Sequence, residues 1–437
     1  MSHPERAPKA PPATTPNDPR YWDERDLEAE LLRTFQICHE CRMCVNYCGS
    51  FPELFNRVDR DVDAGRAEGA ELVNADDIRV VSEECWQCKL CYVKCPYTVD
   101  DDAYEMLDFP RLMAREKAVR AKRDGVTFTD KVLGEPQLIG QLGGGPLAGA
   151  TNLINESRLL RKVTEKVTGI SAEFPLPPLA SEPFPAWFRK RKASATAGEA
   201  GDVVLFATCY GNYNIPDVPK AAVAVLEYLG YRVLGVEETC CGMPNLDGGD
   251  VAGAVEKIRA NVAELIGHVR AGATVLVPNP TCGYTMKREW AEYVDEPEVR
   301  EVARATRDLM EFFEELRRAK LLPKADESLG SVAYHAACHL RAQKIGFPGA
   351  RVLTRQVPET EVRIMEQCSA VDGTWGMKAE HYETGRKYAQ KLKREVDEPD
   401  TDLVVTDCPL SALRIKKEND VEALHPVQAL AKAYGLL

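Results

Sequence analysis

The 437-residue sequence has no run apolar enough to span a bilayer, which takes about 20 consecutive apolar residues. Its nearest approach, PQLIGQLGGGPLAGATNLIN (136–155), carries no charge but is broken by glycine and proline. It reads as a loosely packed linker, with a partner-facing or membrane-surface segment as the alternative. A basic excess is lacking too: 68 acidic residues face 56 Lys and Arg, a net charge of −12, which argues against non-specific nucleic-acid binding. A dinucleotide fingerprint is absent, since neither GGG (143–145) nor GFPG (346–349) stands between a strand and a helix. No flavin or nicotinamide is therefore expected. Nor does the start (MSHPERAPKAPPATTPNDPR) have an apolar secretory core. Polar and proline-rich, residues 1–22 are expected to be disordered and the chain cytoplasmic, with a peripheral place at the inner face of a membrane left open.

What the chain has is cysteine, fifteen in all. A reducing compartment and an odd count exclude a disulfide framework, so the spacing has to be read as ligation. Cys38, Cys41, Cys44 and Cys48 form a C-x2-C-x2-C-x3-C run, and Cys85, Cys88, Cys91 and Cys95 repeat it. Two-cluster bacterial ferredoxins use this run, three thiolates holding one cubane and the fourth reaching to the other. The pattern assigns Cys38, Cys41, Cys44 and Cys95 to one [4Fe–4S] cluster and Cys85, Cys88, Cys91 and Cys48 to a second. Zinc is the alternative, but structural zinc sites favour separated C-x2-C pairs. Gly49 stands where proline usually follows the run. His39, between two ligands, reads as a surface or hydrogen-bonding residue.

Around these runs, Leu27, Leu31 and Phe35 recur every four residues and mark one face of a helix over 23–35. Short helices are expected around 51–58 and 76–81. FPRLMAREKAVRAKR (109–123) reads as a basic helix with a solvated face.

From residue 203 strand and helix alternate. VVLFATC (203–209), YRVLGV (231–236) and ATVLVPN (273–279) read as strands leading to Cys209, to Cys240–Cys241 and to Cys282. SVAYHAAC (331–338), TEVRIMEQC (360–368) and DLVVTDC (402–408) repeat the order and lead to Cys338, Cys368 and Cys408. The separations Cys209–Cys240 and Cys338–Cys368 are 31 and 30 residues; Cys241–Cys282 and Cys368–Cys408 are 41 and 40. The expected architecture is α/β: a helical ferredoxin-type domain (23–109), a helical or irregular linker (110–200) and two Rossmann-like βαβαβ units (201–325 and 326–437). All seven cysteines fall at the carboxyl edge of a parallel sheet, where α/β proteins bind ligands.

With these motifs (ATCYGN, TCCGMPN and NPTCGYT; YHAACHLR, EQCSAVDGTWG and TDCPLSA) the chain resembles the heterodisulfide reductase-related iron–sulfur proteins. Its front segment, YWDERDLEAELLRTFQICHECRMC, also resembles a branch associated with rubrerythrins. The resemblance implies electron transfer between a dehydrogenase or other redox partner and the cysteine-rich unit, which holds a cluster or zinc. The family's repeat has five cysteines, C…CC…C-x-x-C. Aligning Cys282 with Cys408 puts Thr285, Ser369 and Ser411 in place of missing ones, which leaves Cys209, Cys240, Cys241 and Cys282 as the fuller set. His335 and His339, beside Cys338, are candidates to complete the second set as a zinc or cluster site. An electron-transfer protein is the first reading. A reductase of a disulfide or similar two-electron acceptor is the second, and a zinc-organised interaction protein the third.

Overall fold

The structure, a computed structural model, describes residues 6–437. The chain divides into two units, residues up to 127 with 245–251, and 128–244 with 252–437.

The first unit is helical: Glu24–Cys41, Ser50–Asp63, Ala75–Glu83 and Phe109–Asp124. Asp23 starts the first helix by accepting from the amides of Arg25 and Asp26. Asn74 and Asp77 form a capping box on the third, and Asp108 with Pro110 starts the fourth. Leu27, Leu31 and Phe35 are buried as their spacing requires, and Phe35 and Phe51 both pack on Phe109, ring centroids 6.2 and 4.7 Å apart.

Two expectations fail here. The helix 109–124 is no solvated face: Arg115 is buried and donates from Nε to the Tyr21 carbonyl at 2.8 Å, with Asp26 at 2.8 Å from its Nη2. The helix therefore belongs to the first unit, whose boundary lies at 127 instead of 109. Residues 1–5 of the segment expected to be disordered lie outside the described residues, but 6–22 are structured. Arg6 pairs with Glu40 at 2.9 Å, and Tyr21, 1% exposed, packs with Ala13 and Ala118.

The second unit holds two four-stranded parallel sheets. Strands β1 (Gly201–Leu205), β2 (Tyr231–Leu234), β3 (Thr274–Val277) and β4 (Thr306–Asp308) lie in the order β2-β1-β3-β4. Strands β5 (Gly330–His335), β6 (Thr360–Met365), β7 (Leu403–Thr406) and β8 (Ala423–Leu424) repeat it as β6-β5-β7-β8. The expected strands form, and each repeat adds a short edge strand that the sequence pattern does not announce. One core joins both repeats, with Leu205, Leu226 and Phe313 of the first meeting Val332, Leu353 and Leu430 of the second. His425 pins the same junction by donating from Nε2 to the Pro278 carbonyl at 2.8 Å.

The stretch expected to be a loose linker forms helices at Pro136–Gly143, Ala148–Glu156 and Arg158–Thr168. It is tied to the second repeat by a bridge between Ile170 and Lys378 and by an ion pair of Lys378 with Asp130 at 2.8 Å. Its outer face is apolar. Leu142, Leu153, Leu159 and Val167 are each more than 60% exposed.

Candidate metal centres

In the first unit the two cysteine runs fold alike. The residue after the second cysteine of each run, Arg42 and Lys89, has φ of 54° and 63°, and Gln87 has 56°. Side chains seldom adopt this left-handed region, and here it curls each loop around its thiols. One cavity is lined by Cys38, Cys41, Cys44 and Cys95, and another by Cys48, Cys85, Cys88 and Cys91. Phe51 lines both and so forms a wall common to the two. Burial, then the neighbouring Cys95 and Cys41, pushes the Cys44 thiol up to about 12. Burial raises Cys38 as well, with Cys95 the first of its sulfur neighbours. Cys91 is raised by burial and then by Cys88, Cys85 and Cys48. His39 meets Asp59 through Nε2 at 2.9 Å, as a hydrogen-bonding residue.

In the second unit the thiols stand where strands give way to helices. Strand β1 ends at Leu205, short of Cys209, which lies in the helix Thr208–Tyr213; its preceding residue, Thr208, has φ of 72°. A β-branched residue there is strained, and the strain turns the backbone into the site. Cys240 and Cys241 follow β2 in a loop closed by Gly242 at φ 89°, where an added Cβ would lie 3.3–3.5 Å from Ala254. Asn261 Nδ2 donates to the Cys240 carbonyl at 3.0 Å, and its Oδ1 accepts from the Thr239 amide at 2.8 Å. Trp290 Nε1 donates to the Cys241 carbonyl at 2.9 Å. Cys241 and Cys282 sulfurs are 3.3 Å apart. Interaction with Cys240 pushes the Cys209 and Cys241 thiols up, and Cys209 followed by Cys241 holds Cys240 down. Beside them buried Glu238 accepts from Asn212 Nδ2 at 2.9 Å and the Ala207 amide at 3.1 Å, and burial raises it to about 7.

These four thiols line a cavity of ≈ 230 Å³ whose other walls are largely apolar, with Met243, Ile139, Met377 and Leu410 among them. Cys408 of the second repeat opens on the same cavity. Tyr210 lines it too; its buried hydroxyl has no hydrogen-bond partner among the described residues, and burial followed by Cys209 and Cys408 raises it.

The second repeat corrects the alignment drawn from spacing. Pro280 and Pro409 each open the helix after the third strand, with Asn279 and Cys408 as their N-caps. Counting from the prolines, Cys282 corresponds to Ser411, and Asn279 corresponds to Cys408. The contact pattern agrees, because Ser369 Oγ lies 2.9 Å from Ser411 Oγ where Cys241 faces Cys282. Asn279, and not Thr285, therefore stands in for the first repeat's missing cysteine.

Of the two histidine candidates, His335 has both ring nitrogens occupied, Nδ1 by Thr406 Oγ1 at 2.9 Å and Nε2 by the Gln367 carbonyl at 3.0 Å. Burial lowers it to about 4, so it sits as a neutral structural residue and presents no nitrogen to the thiols. His339 Nδ1 lies 3.8 Å from Cys338 Sγ. Sequence reasoning missed Asp372, whose Oδ1 is 3.8 Å from the same sulfur, and it missed Tyr210, Asn261 and Trp290. Their only signal was nearness to a cysteine in sequence or a polar residue on an otherwise apolar helix.

Two ferredoxin-type thiol sets followed by two cysteine-rich parallel sheets define an iron–sulfur protein of the electron-transfer class. Family comparison agrees: residues 37–100 match the 4Fe-4S dicluster domain, and 203–287 and 332–416 each match the cysteine-rich domain. The C subunit of the anaerobic glycerol-3-phosphate dehydrogenase of Escherichia coli is 30% identical over 323 residues, 72% of this chain and 80% of that one. The B subunit of the CoM/CoB fumarate reductase of Methanothermobacter marburgensis is 26% identical over 231 residues, 52% of this chain and 44% of its own length. Lactate utilization protein A of Oceanobacillus iheyensis is 23% identical over 242 residues, 52% of this chain and 96% of that protein. The chain belongs to the family of the anaerobic glycerol-3-phosphate dehydrogenase C subunits, within the heterodisulfide reductase-related proteins. It is an iron–sulfur electron-transfer subunit that works with a redox partner.

Proposed function

We propose that the protein carries electrons through two [4Fe–4S] clusters, on Cys38, Cys41, Cys44 and Cys95 and on Cys48, Cys85, Cys88 and Cys91, and a third iron–sulfur centre on Cys209, Cys240, Cys241 and Cys282. The observation that carries this reading is the crowding of buried and half-buried thiols around shared cavities. Ionising several such thiols together is unfavourable unless a positive iron core replaces their protons. The residues of the chain fix the ligands, keep water from them, and in Asn261 and Trp290 hold the backbone of the adjacent pair. The bound clusters supply one-electron transfer. The partner is a dehydrogenase or a rubrerythrin-like protein, and with no fingerprint for a flavin or nicotinamide on this chain, two-electron donors are handled by that partner.

A second reading has an observation of its own. The ≈ 230 Å³ cavity beside the first repeat's thiols, which Cys408 also faces, is large enough to seat a small acceptor. A disulfide there would take two electrons from the clusters and two protons from solvent to leave as two thiols. Anaerobic iron and sulfide analysis with electron paramagnetic resonance separates the readings when combined with a disulfide-reduction assay on a low-potential reductant. Electron transfer alone gives about twelve iron atoms per chain, a spin-coupled reduced signal and no disulfide turnover. A chain free of iron and sulfide contradicts both.

No helix among the described residues is long and apolar enough to cross a membrane. We place the protein at a membrane surface instead, through the helices of 136–168. Among the described residues, ten of the twenty exposed large apolar side chains lie between Leu138 and Val167. In the last helix Leu159, Val163 and Val167 form one stripe, and exposed Arg158, Lys162 and Lys166 form the next. Arg161, buried, donates to the Ser171 and Phe174 carbonyls and fixes that helix with its apolar stripe outward. Residues 136–168 carry four cations and two acids in a chain of net charge −12. An apolar stripe edged with cations is the pattern of a helix lying in an anionic lipid interface.

A further inference from the structure

We propose that the second cysteine-rich repeat binds a single divalent ion of the zinc class through Cys338, His339 and Asp372, in place of an iron–sulfur cluster. The ligand atoms of these three residues all lie within 4.8 Å of one another, and His339 and Asp372 are 4% and 8% exposed. A tetrahedral ion with bonds of about 2.3 Å to sulfur and 2.0–2.2 Å to nitrogen and oxygen sets its sulfur roughly 3.5 Å from each other ligand. The observed 3.8 Å from Cys338 Sγ to His339 Nδ1 and to Asp372 Oδ1 is within a few tenths of that.

What has become of the cluster positions supports the assignment. Ser369 and Ser411 occupy the places of Cys241 and Cys282, and each hydroxyl has the other as its partner at 2.9 Å. Two of the thiolates a cluster would use are therefore replaced by groups that bind iron poorly. The carboxylate of Asp372, absent from the first repeat's set, faces Cys338 directly. Sulfur, imidazole and carboxylate together suit a borderline ion such as zinc, whereas clusters call for a shell of thiolates. Thr281 Oγ1, 3.1 Å from His339 Nδ1, reaches across from the first repeat. Binding at that nitrogen requires the hydroxyl to turn its proton to another acceptor, after which Thr281 restrains the ring. A tetrahedral site with three protein ligands leaves its fourth position to water.

The inference rests on the iron–sulfur reading only in placing the iron elsewhere, and the experiment keeps the two apart. Full-length protein and its Asp372→Ala and His339→Ala variants are prepared without air and assayed for zinc, iron and sulfide. Wild type is expected to hold about one zinc per chain. Each variant is expected to lose it to a chelator at concentrations about 10–100-fold lower, with iron and sulfide unchanged. Zinc retained at wild-type affinity in both variants overturns the proposal. So does loss of iron and sulfide with the substitutions, which would make these residues cluster ligands. Should a variant misfold, wild type loaded with cobalt decides: tetrahedral bands and a mixed sulfur and nitrogen/oxygen shell by X-ray absorption are expected. An all-sulfur shell, or no cobalt taken up and no zinc as isolated, overturns it. Wild type lacking iron but holding zinc strikes the iron–sulfur reading alone.

Discussion

Cys95 shares a cavity with Cys38, Cys41 and Cys44, although Cys85, Cys88 and Cys91 are its neighbours in sequence. Cys95→Ser is expected to remove about four iron atoms per chain and to abolish spin coupling. The surviving signal should be that of the Cys85, Cys88 and Cys91 cluster, which Cys48→Ser in turn removes. Damage to the nearer run by Cys95→Ser contradicts the crossed assignment. The cysteines were legible because their chemistry is written in the side chain and ligand spacing obeys the size of a cluster. Their partners were not. Asp372 is three residues from Ser369 in a loop with φ of 49° at Ala370 and 35° at Asp372, and nothing in a string of letters shows that such a loop turns a carboxylate onto Cys338. The pairing of Cys282 with Cys408 failed for a related reason. Spacing counts residues, whereas the proline at the head of each helix fixes which residue faces the site.

Among the elements, the helices of 136–168 carry the sharpest expectation. Replacing Leu159, Val163 and Val167 together by serine removes apolar area worth several kcal/mol, at about 1.5–3 kcal/mol for each fully buried side chain. Co-flotation with vesicles rich in anionic lipid should fall at least about tenfold, with iron content unchanged. Equal flotation of variant and wild type, or dissociation of a dimer by the substitutions, assigns the face to something other than lipid. Glycine and proline made 136–155 look loosely packed, yet Pro136 opens a helix at a position where its missing amide costs nothing, and Gly143 closes it. Six of eight strands were legible from their apolar runs. Strands β4 and β8, of three and two residues, are too short to show a period of two and owe their existence to the sheets they border.

At the scale of the molecule, the two units should respond differently to loss of metal. The first unit packs five helices, Leu90–Lys94 the shortest, around eight thiols, and ligation contributes directly to its folding. Chelation of iron should therefore expose residues up to 127 to limited proteolysis while 128–244 and 252–437 stay resistant, held by the core that both sheets share. A first unit that resists protease without iron would mean its helices need no metal. The shared core also dictates how this protein can be taken apart. A knife at residue 325, the boundary suggested by the duplication, would lay bare Leu205, Phe313, Val332 and Leu430 at once and leave His425 without Pro278. Neither half is a portable module, so a graft or a minimal version has to keep both. The roles of the two centres can be separated only one side chain at a time.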